Sequence, residues 1–279
     1  MGRYRPSELA KLGIRPKKRL SQNFLVDQNI IQKTIQAAQV SPGDYVLEIG
    51  PGPGAITEQL LKAGARVKVV ELDTVLAEKL EELQTDDQRL QILCQDVLSL
   101  PLDELKGGNW KIVANLPYHI TTPILQKFLP AHDLIESLTL FVQKEFALRM
   151  SAEKGTKSYS SFTLFIGAYS DPKVCFHVKP TSFSPPPSVD SSVIHLRLHP
   201  FPFSFSEEEF FNFTRTGFGK RRKMLRASLK ELFPPETIEE GLIKLGLPKT
   251  ARPEELSLEE FATLFTHCKD DDANQNGSC

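Results

Sequence analysis

No stretch of this chain approaches the roughly 18 consecutive apolar residues that a membrane-crossing helix needs, so a membrane role is not expected. The opening "MGRYRPSELA" has no apolar segment of the kind that heads a secretory signal. Met1-Gly2 is followed by Pro6 where lipid attachment at Gly2 asks for Ser or Thr. Cysteine is scarce. Cys94, Cys175, Cys268 and Cys279 lie far apart and pair with no histidine at metal-ligand spacing, which excludes a zinc module and a disulfide framework. They read as reduced thiols of a cytoplasmic protein. The six histidines show no metal spacing either.

Two segments lack acids altogether. "KLGIRPKKR" at 11–19 and "TRTGFGKRRKMLRASLK" at 214–230 are basic, although the whole chain has a net charge of −1. Such local asymmetry suits either a bound polyanion or a solvated helix face. The candidates for gripping phosphates are Lys17, Lys18 and Arg19 in the first segment and Arg221, Arg222 and Lys223 in the second.

What is present is enough apolar material for a full core: 40% of 279 residues. "YVLEI", "RVKVVE", "LQILC", "KIVAN" and "SLTLFVQ" are Val-, Ile- and Leu-rich without clean alternation, as strands buried on both faces of a parallel sheet are. "AITEQLLKAG" and "TVLAEKLEELQ" between them have helical spacing, so the spacing predicts an α/β fold. "KVCFHV" and "SVIHLRL" are too close in sequence for a helical crossover and should be antiparallel neighbours. After Pro200-Phe201-Pro202 the pattern turns helical, with capping boxes at Ser206/Glu209 and Ser257/Glu260. We therefore expect a mostly parallel sheet ending in an antiparallel pair over residues 1–202, a small all-helical domain over 203–268, and a polar, disordered tail over 269–279.

The first strand runs into "EIGPGPG", where Gly50, Gly52 and Gly54 let the backbone approach a ligand closely. Glu71 ends the second strand, placed to accept hydrogen bonds from ribose hydroxyls. Asp96 follows the third, suited to an adenine amino group. This acid and the G-x-G-x-G spacing favour S-adenosylmethionine over a nicotinamide cofactor. Glu48, inside the first strand, either orients the cofactor or belongs to a structural ion pair.

The fourth strand ends in "ANLPY". The exocyclic amine of adenine is a poor nucleophile because its lone pair is delocalised into the ring. Accepting hydrogen bonds from both N–H groups pulls that nitrogen towards a tetrahedral geometry. The Asn115 side-chain oxygen and the Leu116 carbonyl are a suitable pair of acceptors. Pro117 stiffens the backbone that aims them, and Tyr118 offers a face on which an unstacked base can lie. Catalysis of this kind needs positioning and polarisation but no metal and no enzyme nucleophile.

"LSQNFLVDQNII", "VLEIGPGPGAIT", "VVELD", "QDVL", "VANLPYHITTPIL", "FVQKEFALRM" and "FSPPPSVDSSV" stand in an order that resembles the ribosomal RNA adenine N6,N6-dimethyltransferase family, across roughly residues 17–198. "GFGKRRKMLRASLK" resembles its bacterial small-subunit branch. The resemblance implies a Rossmann-like class I S-adenosylmethionine-dependent methyltransferase fold. It implies that Asn23 and Leu25 touch the cofactor, that Gly50 lies against its methionine part, and that Asn115 stands between cofactor and target. It further implies that Phe183 sandwiches the target base opposite Tyr118; a buried loop phenylalanine is the plainer alternative. Ser188 stands where the family commonly has a lysine, which removes one phosphate contact.

The expected activity is dimethylation of N6 of two adjacent adenosines near the 3′ end of small-subunit (16S) ribosomal RNA during ribosome biogenesis. The expected partner is the assembling 30S subunit, met by a monomer. Two alternatives stand beside it. One is methylation of large-subunit ribosomal RNA of the macrolide-resistance type; the other is a non-catalytic RNA-binding assembly factor on the same fold.

Overall fold

The computed structural model describes Ser7, Gly13, Ile14, Pro16, Lys17, Leu20 and residues 22–84, 87–220 and 223–276; for His119 and 274–276 it describes the backbone alone. The chain forms two compact units, one of residues 1–147 with 170–200, the other of 148–169 with 201–279.

The first unit is built on a seven-stranded sheet. In chain order its strands are β2 (Tyr45–Ile49), β3 (Arg66–Glu71), β4 (Leu90–Cys94), β5 (Trp110–Asn115), β6 (Ile135–Gln143), β7 (Ser170–Val178) and β9 (Ser191–Leu198). Their order across the sheet is β4-β3-β2-β5-β6-β9-β7. The first five pair in parallel, and β9 runs antiparallel between β6 and β7. The apolar runs predict this burial: Val46, Leu47, Val69, Ile112, Val113 and Leu140 are all fully or almost fully buried. Helices α2 (Ala55–Lys62) and α3 (Thr74–Leu80) stand where helical spacing places them. Gly64, at φ +86°, closes the turn after α2 in a conformation that a side chain would strain.

A two-residue strand, β1 (Phe24–Leu25), pairs antiparallel with β8 (Phe183–Ser184). Neither is legible in the sequence, because a two-residue ladder has no period to detect. It nevertheless brings the "SQNFL" segment against the "SFSPPPSV" loop, about 160 positions later in the chain.

The second unit is helical, and its core is phenylalanine. Phe210 and Phe213 of α7 (Glu207–Gly219) and Phe261 and Phe265 of α10 (Leu258–Asn276) are buried, and Phe205 meets Phe265 at a centroid distance of 4.9 Å. Offset and edge-on aromatic packing of this sort adds specific contacts to the area that it buries. Of the two expected capping boxes, the second is complete and the first is present as its hydroxyl half. The Ser206 hydroxyl accepts from the Glu209 N–H at 3.4 Å. Ser257 and Glu260 bond reciprocally, at 2.6 and 3.2 Å.

The units divide the chain differently from a single boundary at 202. Residues 148–169 group with the C-terminal helices because their aromatic rings find partners there: Phe165 packs on Phe211 at 5.2 Å, and the Tyr159 hydroxyl donates to the Leu256 carbonyl at 2.9 Å. The segment expected to be a disordered tail is helical as far as Asn276. Two side chains draw it in, Lys269 onto Glu209 at 2.9 Å and Asp271 accepting from Thr237 at 2.7 Å.

Among the described residues there is no group of three or more side chains able to hold a metal, and no helix is long and apolar enough to cross a membrane. Cys94, Cys175 and Cys268 are thiols.

Candidate active site

Chain order leaves β2 in both directions, through β3 and β4 on one side and β5 and β6 on the other. At such a switch point no crossover helix covers the strand tips, so a crevice opens at their carboxyl ends. Asn23, Gly50, Glu71, Asp96, Asn115 and Tyr118 all line one cavity there, and Leu116, Pro117 and Phe183 share its wall. Leu25 does not: it is buried against the core, and its backbone pairs with Phe183 in the β1–β8 ladder.

The glycine loop is shaped by backbone conformation. Gly50, Gly52 and Gly54 all have positive φ (65, 57 and 92°). A Cβ on Gly54 would stand 2.6 Å from Leu83 Cδ1, and the left-handed backbone there strains any residue with a side chain. The loop is fastened to β3 by Glu71, whose Oε2 accepts from Gly52 N–H at 3.1 Å and whose Oε1 accepts from Asp73 N–H at 2.9 Å. Burial pushes the Glu71 carboxyl above its ordinary pKa, and the two amide donors work against that rise.

Asp73 caps α3 through Val75 N–H at 3.2 Å and takes Lys17 Nζ at 2.6 Å and Gln22 Nε2 at 3.3 Å. Burial opposes its charge, but the Lys17 and Gln22 bonds outweigh that and hold its carboxyl below the usual range.

Asp96 accepts from Leu98 N–H at 2.9 Å, which turns the chain after β4. Lys127 steadies the same turn by donating to the Leu98 and Leu100 carbonyls, each at 2.6 Å.

Asn115 sits at the tip of β5, with its Nδ2 donating to the Asn23 carbonyl at 2.9 Å. That bond uses the donor end of the amide, so the acceptor end, Oδ1, is the one left to work. Tyr118 begins a short 3₁₀ turn, and its hydroxyl bonds Ser191 Oγ at 2.8 Å. Phe183 is 5% exposed and packs edge-on against Phe141 at 6.1 Å. It is thus both a buried loop residue and part of the cavity wall.

Several cavity residues are absent from the sequence reading. Leu72 and Leu98 line the cavity although they are 56% and 36% exposed. Their signal was available: each is an apolar residue directly after, or two after, an acid at a strand end. Ser191, which does not line the cavity but bonds the Tyr118 hydroxyl that does, carries no such signal, since only the fold brings β9 to the "NLPY" turn.

Glu48 belongs to neither expected arrangement. It is 1% exposed, does not line the cavity, and accepts from Thr57 Oγ1 at 2.6 Å. Burial pushes its pKa up to about 8, with the Thr57 bond opposing and the Glu71 charge adding to the rise. The native state therefore keeps this proton while the unfolded chain releases it. The resulting stability is full below the unfolded value of 4.5 and is lost as pH rises towards about 8. Glu48→Gln, neutral at every pH, is expected to gain about 3 kcal/mol on the wild type between about pH 5 and about pH 8. Denaturant unfolding at both pH values checks this; parallel curves for the two proteins would show that Glu48 is ionised in the fold.

Of the residues expected to meet phosphates, Lys18, Arg19, Arg221 and Arg222 lie outside the described residues. Lys17 is in the ion pair with Asp73. Lys223 is exposed in the helical unit. Near it in sequence, Arg226 pairs with Glu239, which also takes Lys249 at 2.9 Å.

A mostly parallel sheet with a glycine-rich turn at its switch point and an acid after each of the next two strands defines a class I, Rossmann-like methyltransferase fold. Within that class the chain belongs to the ribosomal RNA adenine dimethylase family, whose model matches residues 13–270. It is 48% identical to the ribosomal RNA small subunit methyltransferase A of Protochlamydia amoebophila, with 94% of this chain and 96% of that protein covered. Its identity to the protein of the same name from Chlamydia muridarum is 46%, with 95% and 96% covered. Among solved structures it is similar to a dimethyladenosine transferase from Plasmodium falciparum, at a TM-score of 0.75 and 25% identity over 91% of this chain and 98% of that one. It is also similar to the 23S rRNA methyltransferase ErmE, at a TM-score of 0.72 and 26% identity, covering 88% and 100%. The chain is an enzyme of the adenine-dimethylating class.

Proposed function

We propose that the chain transfers methyl groups from S-adenosylmethionine to N6 of two adjacent adenosines near the 3′ end of small-subunit ribosomal RNA. The observation that carries this reading is the Asn115 amide, anchored through Nδ2 to the Asn23 carbonyl in the cavity that also holds Glu71 and Asp96. The donor set suits the cofactor. Glu71 offers carboxylate lone pairs to ribose hydroxyls, Asp96 accepts from an adenine amine, and Leu72 and Leu98 give apolar faces for the purine ring. Asn23 and Gly50 lie where the methionine part would pass; Leu25 acts through the backbone of β1. When bound, the cofactor supplies an electrophilic methyl group on a sulfonium.

The chain's own residues do the rest. Asn115 Oδ1 and the Leu116 carbonyl accept from the two N–H bonds of the target amine, and Pro117 holds the turn that aims them. The target base enters unstacked from its strand and lies between Tyr118 and Phe183. The Ser191 bond to the Tyr118 hydroxyl keeps that ring from turning away. In this reading the unit of residues 1–147 with 170–200 is the catalytic one, and the helical residues 203–268 grip RNA. Lys18, Arg19, Arg221, Arg222 and Lys223 would meet phosphates, making RNA binding salt-dependent. The enzyme works as a cytoplasmic monomer on the assembling 30S subunit.

The small subunit is favoured over the large one by the relatives: identity is 48% to a protein named for the small subunit and 26% to the 23S rRNA enzyme. The test is methyl transfer from labelled S-adenosylmethionine to unmodified small subunits, with large-subunit RNA as competitor. Dimethyladenosine confined to the small subunit is the expected result. Label on the large-subunit RNA alone would overturn the choice of substrate, and label on neither would favour a non-catalytic assembly role.

A further inference from the structure

The part of the cavity wall that comes from the N-terminal segment consists of Leu20, Gln22, Asn23 and Phe24. Its C-terminal side is well secured. Phe24 and Leu25 pair with β8, Val26 N–H donates to the Ser182 carbonyl at 2.9 Å, and Asn115 Nδ2 holds the Asn23 carbonyl. The other side is secured differently. Lys17 and Gln22 are tied to each other, Lys17 N–H donating to Gln22 Oε1 at 2.8 Å. Both then reach one carboxylate, Lys17 on Oδ1 and Gln22 on Oδ2 of Asp73.

Asp73 is 4% exposed, so its charge is desolvated and the bonds to it are worth more than those of a surface pair. It stands two residues after Glu71, and its own N–H is one of the two donors that hold the Glu71 carboxylate. The other donor is Gly52 of the glycine loop. A continuous set of bonds thus runs from the N-terminal segment through Asp73 and Glu71 to the glycine loop. Lys17 is committed to this set, although the sequence alone offers it as a phosphate contact.

We propose that Asp73 is a positioning residue for the cofactor: through Lys17 and Gln22 it fastens the N-terminal wall of the cavity to the end of β3, beside the carboxylate that takes the ribose. Asp73 does not touch the cofactor. Its effect is to remove the ordering cost that a loose wall would add to binding. The proposal rests on reading this cavity as the S-adenosylmethionine site.

The test uses the full chain and three variants: Asp73→Asn, Lys17→Met and Lys17→Arg. Asparagine caps a helix as well as aspartate does, so α3 keeps its N-terminus. Asp73→Asn is expected to raise the calorimetric Kd and the KM for S-adenosylmethionine roughly tenfold, since it loses hydrogen bonds to a buried charge. Its kcat at saturating cofactor and its KM for RNA are expected to stay within about twofold, a split that a general loss of stability would not produce. Lys17→Met should raise the cofactor Kd roughly threefold to fivefold and add little when combined with Asp73→Asn. Lys17→Arg, which keeps the cation, should restore it. An unchanged cofactor Kd in Asp73→Asn, with wild type binding normally, would overturn the proposal alone. So would a Lys17→Met variant that loses RNA affinity and keeps cofactor affinity, because Lys17 would then serve phosphates. A wild-type chain that fails to bind S-adenosylmethionine would overturn the cofactor reading and this proposal with it.

Discussion

Asn115→Ala is expected to lower kcat for methyl transfer by roughly a hundredfold or more, the scale set by losing one preorganised hydrogen-bonding group at a reacting centre. Two separate things are lost. One is Oδ1, the side-chain acceptor that the proposed function assigns to the target amine. The other is the Nδ2 bond to the Asn23 carbonyl, which holds part of the cofactor wall. The second loss should weaken S-adenosylmethionine binding only severalfold, because β1 still holds Phe24 and Leu25 in place. Single-turnover transfer to small subunits, run beside calorimetric titration with the cofactor, separates the two effects. Asn115→Asp helps to assign them: it keeps an acceptor oxygen but cannot donate to Asn23. Turnover in Asn115→Ala within about threefold of wild type would mean that the Leu116 carbonyl and positioning alone activate the amine.

Glu71→Ala should be the most damaging single change to cofactor affinity, roughly a hundredfold or more in Kd, because bonds to an ionised group contribute about 1.5–3 kcal/mol each. The carboxylate is asked to do two jobs. In the proposed function it accepts ribose hydroxyls, and in the fold it holds the Gly52 and Asp73 amides that shape the loop. Glu71→Gln keeps one acceptor oxygen and should recover part of the loss. The pH dependence points the same way. Burial raises the Glu71 pKa, so on acidification it takes a proton before an ordinary carboxylate would. Cofactor binding by wild type should therefore weaken at mildly acidic pH, and the Gln variant should not show that step. A wild-type affinity independent of pH, together with a small effect of Glu71→Ala, would place the ribose elsewhere.

Much of the first unit is legible in the sequence because parallel strands buried on both faces leave continuous apolar runs. "YVLEI", "RVKVVE" and "LQILC" coincide residue for residue with β2, β3 and β4. The antiparallel ending is legible from a connection too short for a crossover. The residues that line the cavity are legible for a similar reason. Switch-point chemistry attaches to strand ends, so Gly50, Glu71, Asp96 and Asn115 each stand just after, or at the end of, an apolar run.

What local pattern could not supply is contact between distant segments. The family resemblance of "SQNFL" implies that Leu25 contacts the cofactor, and only the ladder with Phe183 shows that its side chain is buried in the core. Lys17 read as a free cation because its own neighbours are basic, and its acid partner lies 56 positions away. Residues 269–276 resemble a tail because they are polar, yet they continue the last helix, with Lys269 on Glu209 and Asp271 on Thr237.

The sequence by itself determined the parallel sheet, the glycine turn, the acids that follow it and the place of "NLPY" at a strand tip. All of these follow from periodicity and residue type within a few positions. Only the tertiary structure decided which end of the Asn115 amide is occupied, what steadies Tyr118, and which carboxylate Lys17 meets. The physical reason is range: apolar periodicity records the face that each residue buries, whereas hydrogen bonds and ion pairs form only between groups that the fold has already brought within about 3 Å of each other.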